Sequence, residues 1–289
     1  MIFKETLQLA DNISVPRLGL GVWMIPDDKT AQAVRQAVKL GYRHIDTAQA
    51  YFNEAGTGEG IKSCGVKREE IFVTSKIAAE HKTYKAAAAS IDASLSKAGL
   101  DYLDLMLIHS PQPWQEWRGK KRYFEENKEV WRALTDAQRA GKVRAVGVAN
   151  FLQDDLESLL SDCEVRPAVN QILLHIGNTP LKLLEYCRQQ GIAIEAYSPL
   201  GHGVMVRDKT LAGMAARYGV SPAQLCIRYT LQLGAVTLPK TQNPERMLEN
   251  ASLAFEISEA DMEKLKHVQM SGDYGQFGKF PVFSLKEQE

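Results

Sequence analysis

Apolar runs of strand length recur along the 289-residue chain near 17-21, 42-45, 71-75, 103-108, 143-148, 168-172, 192-196 and 235-238, and helical patterns fill the gaps. Alternation of this kind argues for parallel strands joined by helical crossovers. Runs such as Val143-Arg144-Ala145-Val146-Gly147-Val148 are nearly continuous, which suits strands buried on both faces. The helices are well punctuated. Asp27-Asp28 opens one, Lys67-Arg68-Glu69-Glu70 follows another, Gly99 and Gly141 end two more, and Ser221-Pro222 starts a late one. Ahead of all this, Thr6 to Leu9 and Ile13 to Val15 flank the turn-forming Asp11-Asn12, which predicts an N-terminal β-hairpin over 6-15.

Eight such strands could form an open sheet or a closed barrel, and the residues at their ends discriminate. Asp46, Lys76 and His109 follow the second, third and fourth runs. The fifth run ends at Asn150, the sixth contains Gln171, the seventh is followed by Tyr197-Ser198 and the eighth by Lys240-Thr241. An open sheet gathers ligand groups only at its switch point, whereas a barrel brings the C-terminal end of every strand to one mouth. The expected fold is therefore α/β, a (β/α)8 TIM barrel whose N-terminal β-hairpin caps the barrel bottom. One domain over 1-289 is expected, because such barrels routinely occupy about 250 residues. Two stretches exceed ordinary loop length: 110-123, with Trp114 and Trp117, and the tail 271-289, with Tyr274, Phe277, Phe280 and Phe283. Both are expected near the barrel mouth, unless their aromatics merely pack the loops onto the surface.

Thirty-five basic residues balance thirty-five acidic ones, so no overall positive field exists to hold nucleic acid or an anionic membrane. The chain nowhere approaches the roughly 18 uncharged apolar residues of a membrane span, and its start lacks a basic segment followed by an apolar run. A cytoplasmic protein is expected. Cys64, Cys163, Cys187 and Cys226 are scattered singly, and His81, His175, His202 and His267 show no ligand spacing, so no metal is expected.

The strand-end residues can move a proton. Tyr51, five residues after Asp46, is a weak acid with an ordinary pKa of about 10 and needs a neighbour that stabilises its phenolate. Lys76 can be that neighbour, Asp46 can hold the ammonium, and a neutral His109 can orient a carbonyl. Taken singly, Asp46 could cap a helix and Lys76 could reach solvent; together they point to a site. A proton donor aimed at a carbonyl still lacks hydride, which no side chain supplies, so a cofactor is needed. Gly56-Thr57-Gly58-Glu59-Gly60 does not have dinucleotide-fingerprint spacing and runs into a helix, so it reads as structural. Lys240-Thr241-Gln242-Asn243-Pro244-Glu245-Arg246 is the better anion site: helix N-terminal amides, two cations and a hydroxyl suit an extra phosphate monoester.

Read together, Gly41-Tyr42-Arg43-His44-Ile45-Asp46-Thr47-Ala48 with Tyr51 and Asn53-Glu54, Thr74-Ser75-Lys76, Leu107-Ile108-His109, and Leu238-Pro239-Lys240 through Arg246 to Glu249-Asn250 resemble the aldo-keto reductase family, from Val15 to Ile257. The resemblance implies a (β/α)8 barrel binding extended NAD(P)H, with NADPH preferred. It implies Tyr51 as proton donor, Lys76 and Asp46 as its tuning pair and His109 as orienter. Asn150 and Gln171 match positions that hold the nicotinamide carboxamide, and Tyr197 matches the aromatic under the ring. Ser198 and Leu200 match the pyrophosphate grip, Lys240, Thr241 and Arg246 the 2′-phosphate site, and Glu249 and Asn250 the adenine site. Trp23, Ser110 and Trp114 are the candidate substrate-pocket residues.

Two departures stand out. Ala149 replaces a serine that many members carry beside Asn150, and Ser110 replaces a tryptophan after the histidine, which predicts a wider or more polar pocket. The implied reaction is NADPH-dependent reduction of aldehydes or ketones, on a small-molecule carbonyl substrate, by a monomer. Bacterial relatives that reduce diketogluconate or methylglyoxal are the analogies. The alternatives are a Schiff-base aldolase using Lys76 and a noncatalytic barrel subunit that senses NADPH.

Overall fold

The computed structural model describes residues 1–9, 13–269 and 273–284. Two antiparallel strands, β1 (Thr6–Gln8) and β2 (Ser14–Pro16), form the N-terminal hairpin; its turn residues Asp11 and Asn12 lie outside the described residues. Eight parallel strands follow: β3 (Leu20–Gly21), β4 (His44–Asp46), β5 (Phe72–Ile77), β6 (Leu103–Ile108), β7 (Val143–Ala149), β8 (Val169–Leu173), β9 (Ala193–Tyr197) and β10 (Val236–Leu238). Each pairs with its sequence neighbours, and the sheet closes on itself where Leu18 bridges Thr237. Gly19 N donates to Thr237 O at 2.9 Å and Thr237 N to Arg17 O at 2.8 Å. A Cβ on Gly19 would come within 2.6 Å of Leu238 and 2.8 Å of His44, so only glycine lets the seam shut. The eight anticipated strands and their order hold, although the first pairs regularly over only two residues.

The helices form where the chain supplies caps. α1 (Asp27–Leu40) carries its two aspartates in the first turn. α3 (Tyr84–Ala98) is capped by Thr83 and ends at Gly99, whose φ of 60° is costly for other residues. α4 (Phe124–Arg139), α5 (Gln153–Leu160) and α6 (Leu181–Gln189) follow the middle strands. The short α7 (Val204–Arg207) and α8 (Lys209–Arg217) precede α9 (Pro222–Gln232), which starts with the Ser221–Gln224 capping box. α10 (Pro244–Ala251) and α11 (Glu259–Lys266) complete the ring.

The glycine-rich segment lies in α2 (Glu54–Lys62), and its glycines pack helices rather than a ligand. A Cβ on Gly56 would stand 2.2 Å from Asp27 O, and one on Gly58 would stand 1.8 Å from Ala98 O. The bare faces let α2 wedge between α1 and α3. Among the described residues no helix is long and apolar enough to cross a membrane.

The barrel interior is layered, because alternate residues of each strand point inward. Phe72, Leu105, Val169 and Val236 form an apolar floor that Leu9, Ile13 and Val15 plug from below, so the hairpin caps the bottom of the barrel. Above this floor the interior turns polar. His44, Thr74 and Glu195 are fully buried there, and Asp46, Lys76 and Tyr197 lie two residues further along the same strands, level with Gln171 two residues above Val169 in β8.

Candidate active site

Lys76 is wholly buried and clamped at the end of β5. Its Nζ donates to Asp46 Oδ1, Asp46 Oδ2 and Thr47 O, each at 2.8 Å, and to Tyr51 Oη at 3.3 Å. Three hydrogens serve these four contacts, so the carboxylate and carbonyl hold the ammonium and the phenol shares it. Tyr51 reaches this position on a single 3-10 turn, Gln49–Tyr51. Gln49 braces the turn by accepting from Ala78 N at 2.8 Å and donating to Ser90 O and Ser94 Oγ at 2.9 Å. Asn53 fixes the segment's far end by donating to Val22 O and Ile25 O and accepting from Thr47 Oγ1. Glu54 is anchored by Ser75 Oγ at 2.7 Å. The motif residues around Tyr51 are thus its supports.

Burial raises the Tyr51 phenol above its usual value, and the Lys76 ammonium opposes that rise. The expected downward tuning is therefore a limit on the increase, because desolvation in the barrel mouth outweighs one nearby cation. Lys76 itself is disfavoured by burial, but Asp46 and Tyr51 overcome this and raise its pKa, keeping it charged. His109 lies with its ring 5.6 Å from that of Tyr51 and 5.1 Å from that of Trp114. Burial, aided by Lys76, holds its imidazole well below the ordinary value, so it is neutral. Its Nδ1 is buried without a partner.

Beside these groups, Asn150 Nδ2 donates to His109 O at 3.0 Å, and Asn150 Oδ1 accepts from Tyr197 Oη at 2.6 Å. Gln171 Nε2 donates to Asp46 Oδ1 at 2.8 Å and to Glu195 Oε2 at 2.9 Å.

Of these groups, Asp46, Tyr51, His109, Asn150, Gln171 and Tyr197 face a single cavity of about 1030 Å³, while Lys76 and Glu195 stand behind its wall. Its walls include Trp23, Tyr51, His109 and Trp114, then Asn150, Gln171, Tyr197, Ser198 and Leu200, and also Lys240, Thr241, Arg246, Glu249 and Asn250. The anticipated residues at seven strand ends are thereby brought together. Tail residues Phe277, Phe280 and Phe283 line it too, packed on Trp23 with ring separations of 6.0, 5.1 and 5.7 Å. The part of the tail at 271–272 and 285–289 lies outside the described residues.

Two expectations are corrected. Ser110 does not line the cavity: it is buried, its Oγ accepts from Gln112 N at 3.3 Å, and its carbonyl accepts from Lys82 Nζ at 2.8 Å. Hydrogen bonding turns it into the loop, so it does not widen the pocket. At the other end, the α10 amides are already used, since Asn243 Oδ1 accepts from Glu245 N and Arg246 N. Any phosphate there depends on the Lys240, Thr241 and Arg246 side chains.

Sequence reasoning overlooked Met24, His202 and Arg207, which line the cavity, and Glu195, which supports it. His202 stacks on Phe277 at 4.2 Å and meets Ser198 Oγ at 3.2 Å, contacts that no local pattern announces. Glu195 did carry a signal: it is two residues before Tyr197 and therefore shares its inward face.

Comparison with known proteins identifies the family. The model of the Aldo/keto reductase family matches residues 17–269. Glyoxal reductase of Bacillus subtilis (strain 168) is 43% identical over 264 residues, which is 91% of this chain and 92% of the relative. An aldo/keto reductase structure from Brucella melitensis superposes with a TM-score of 0.85 at 37% identity, covering 92% of this chain and 98% of that one. A Bombyx mori aldo-keto reductase in complex with NADP superposes with a TM-score of 0.84 at 31% identity, covering 95% of this chain and 96% of that one. The chain belongs to the aldo/keto reductase family.

Proposed function

We propose that this protein reduces small aldehydes and ketones with NADPH, with Tyr51 as the proton donor. The observation that carries the reading is the Tyr51 hydroxyl at the cavity wall, 3.3 Å from a Lys76 ammonium that is itself fixed by Asp46. The cavity fits an extended dinucleotide: it is long, one end holds the phenol and imidazole, and the other offers the exposed cations Lys240 and Arg246. Between them, the Gln171 amide has both hydrogens engaged by carboxyl groups, which leaves its carbonyl oxygen for a carboxamide N–H. Lys240, Thr241 and Arg246 would take the 2′-phosphate, Glu249 and Asn250 the adenine, Ser198 and Leu200 the pyrophosphate, and Asn150, Gln171 and Tyr197 the nicotinamide. NADPH, when bound, supplies the hydride.

The chain's own residues do the rest. Neutral His109 and Tyr51 receive the substrate oxygen between them, while Trp23, Trp114 and the tail aromatics exclude water. As negative charge grows on that oxygen, Tyr51 gives up its hydrogen. Lys76 then faces a phenolate, the charge it is placed to stabilise, and Asp46 keeps the ammonium from moving. The similarity to a glyoxal reductase supports small dicarbonyls as the first substrates to try.

A Schiff-base role for Lys76 requires a neutral amine facing the substrate. Lys76 is a charged ammonium held behind the wall by three short contacts, so the observations favour reduction. The test is NADPH consumption with glyoxal, methylglyoxal and aromatic aldehydes, wild type against Tyr51→Phe. Loss of one general acid should lower kcat by about 10²–10⁴ while leaving the NADPH Kd unchanged. Near wild-type turnover in the variant would refute the role given to Tyr51.

A further inference from the structure

We infer that Glu195 is a positioning residue for the cofactor, acting through Gln171. The inference rests on the reading above, in which the Gln171 carbonyl oxygen accepts a hydrogen bond from the nicotinamide carboxamide. Glu195 is wholly buried in β9, does not itself line the cavity, and is hydrogen-bonded to Gln171, which does. It shares the polar interior layer with His44 and Thr74 and is fully buried, so a carboxyl there is costly unless it is paired.

Its one hydrogen bond identifies that pairing. Gln171 Nε2 has two hydrogens; one goes to Asp46 Oδ1 at 2.8 Å and the other to Glu195 Oε2 at 2.9 Å. A single anchor would fix the nitrogen and leave the amide plane free to turn about that contact. Two anchors, on neighbouring sides of the nitrogen, fix the plane. They also disfavour the flipped amide, which would set its oxygen against the Asp46 carboxylate and forfeit that bond. The oxygen is thereby held toward the cavity that Gln171 lines.

The second Glu195 oxygen, Oε1, is buried with no partner, and His44 Nε2 is 3.9 Å away. Burial, with Asp46 adding to it, pushes the Glu195 carboxyl up to about 8. At neutral pH it is therefore the uncharged acid, which anchors Gln171 without placing a second negative charge beside the Lys76–Asp46 pair. A glutamine copies that acid in shape and retains an acceptor.

The experiment compares two probes by quenching of intrinsic fluorescence: NADP and its 3-acetylpyridine analogue, in which a methyl replaces the carboxamide NH2. Wild type should bind the analogue roughly tenfold more weakly, the worth of one well-made hydrogen bond. In Glu195→Leu the amide loses its second anchor, so NADP should weaken toward the analogue and the ratio should fall to about two. Glu195→Gln should keep the wild-type ratio. A merely structural role predicts that Leu weakens both probes equally and leaves the ratio intact, and that result would overturn the proposal. Should Glu195→Leu fail to fold, Glu195→Val, smaller and suited to a strand, is read in the same way. If wild type itself does not distinguish the two probes, the carboxamide contact of Gln171 is wrong, and the role of Glu195 falls with it.

Discussion

At one end of the cavity Lys76 is buried with every hydrogen engaged, whereas at the other Lys240 and Arg246 stand exposed on the wall. The first cation belongs to the folded protein whether or not anything is bound, because Asp46 and Thr47 offset its desolvation. The second pair costs the fold little and, on the proposed reading, meets the phosphate of the cofactor. On that reading, positive charge serves two purposes in one cavity. A charge that must act on a proton within one bond's reach is preorganised by burial, while a charge that must capture a diffusing anion stays in water, where it is cheap to keep and easily screened.

The comparison is most sharply tested at Lys76. Lys76→Met leaves the Asp46 carboxylate buried with only Gln171 as a donor. Breaking a buried pair in this way should cost about 3–5 kcal/mol in urea denaturation, as well as most turnover. Lys76→Met/Asp46→Leu should recover most of the stability and none of the activity. If the single variant proves as stable as wild type, the ammonium is not held as described.

Arg246→Ala or Lys240→Ala should behave in the opposite way. Unfolding free energy should stay within about 0.5 kcal/mol of wild type. The NADPH Kd should rise roughly tenfold at low salt, equivalent to about 1.4 kcal/mol, and that penalty should shrink as salt is added. NADH binding should hardly change. Equal losses for the two cofactors would mean that these side chains do not meet the 2′-phosphate.

A third test concerns the buried acid. Glu195 is raised to about 8, against an ordinary carboxylate value of about 4.3. The fold prefers the protonated form, so that stabilisation is complete below about pH 4.3 and is lost as pH climbs toward about 8. Glu195→Gln has no proton to lose. Its Tm relative to wild type should therefore rise by a few degrees between pH 5 and pH 8. A difference that stays flat across this window would show that the acid is already ionised in the fold.

These two ends also differ in how readily sequence reveals them. The strands could be read because burial on both faces demands continuous apolar runs, and a polar residue that ends such a run marks the mouth: Asp46, Lys76, His109 and Asn150 all stand out in this way. Glu195 sits inside a run and looks like an interruption of it. Ser110 followed the histidine directly and looked like a pocket residue, yet a hydrogen bond to Gln112 N and the approach of Lys82 turn it away. The helix after β10 advertised free amides, and Asn243, two residues beyond Thr241, had already taken them.

By itself the sequence determined the barrel, its capping hairpin and the side chains delivered to its mouth, since hydrophobic period and strand parity are local properties that survive any later packing. Only the tertiary structure decided which of those side chains share hydrogens, which groups engage the Gln171 amide nitrogen, and that burial outweighs the ammonium in setting the acidity of Tyr51. These depend on contacts between residues far apart in the chain, such as Gln171 with Asp46, and on a desolvation that exists only once the barrel has closed.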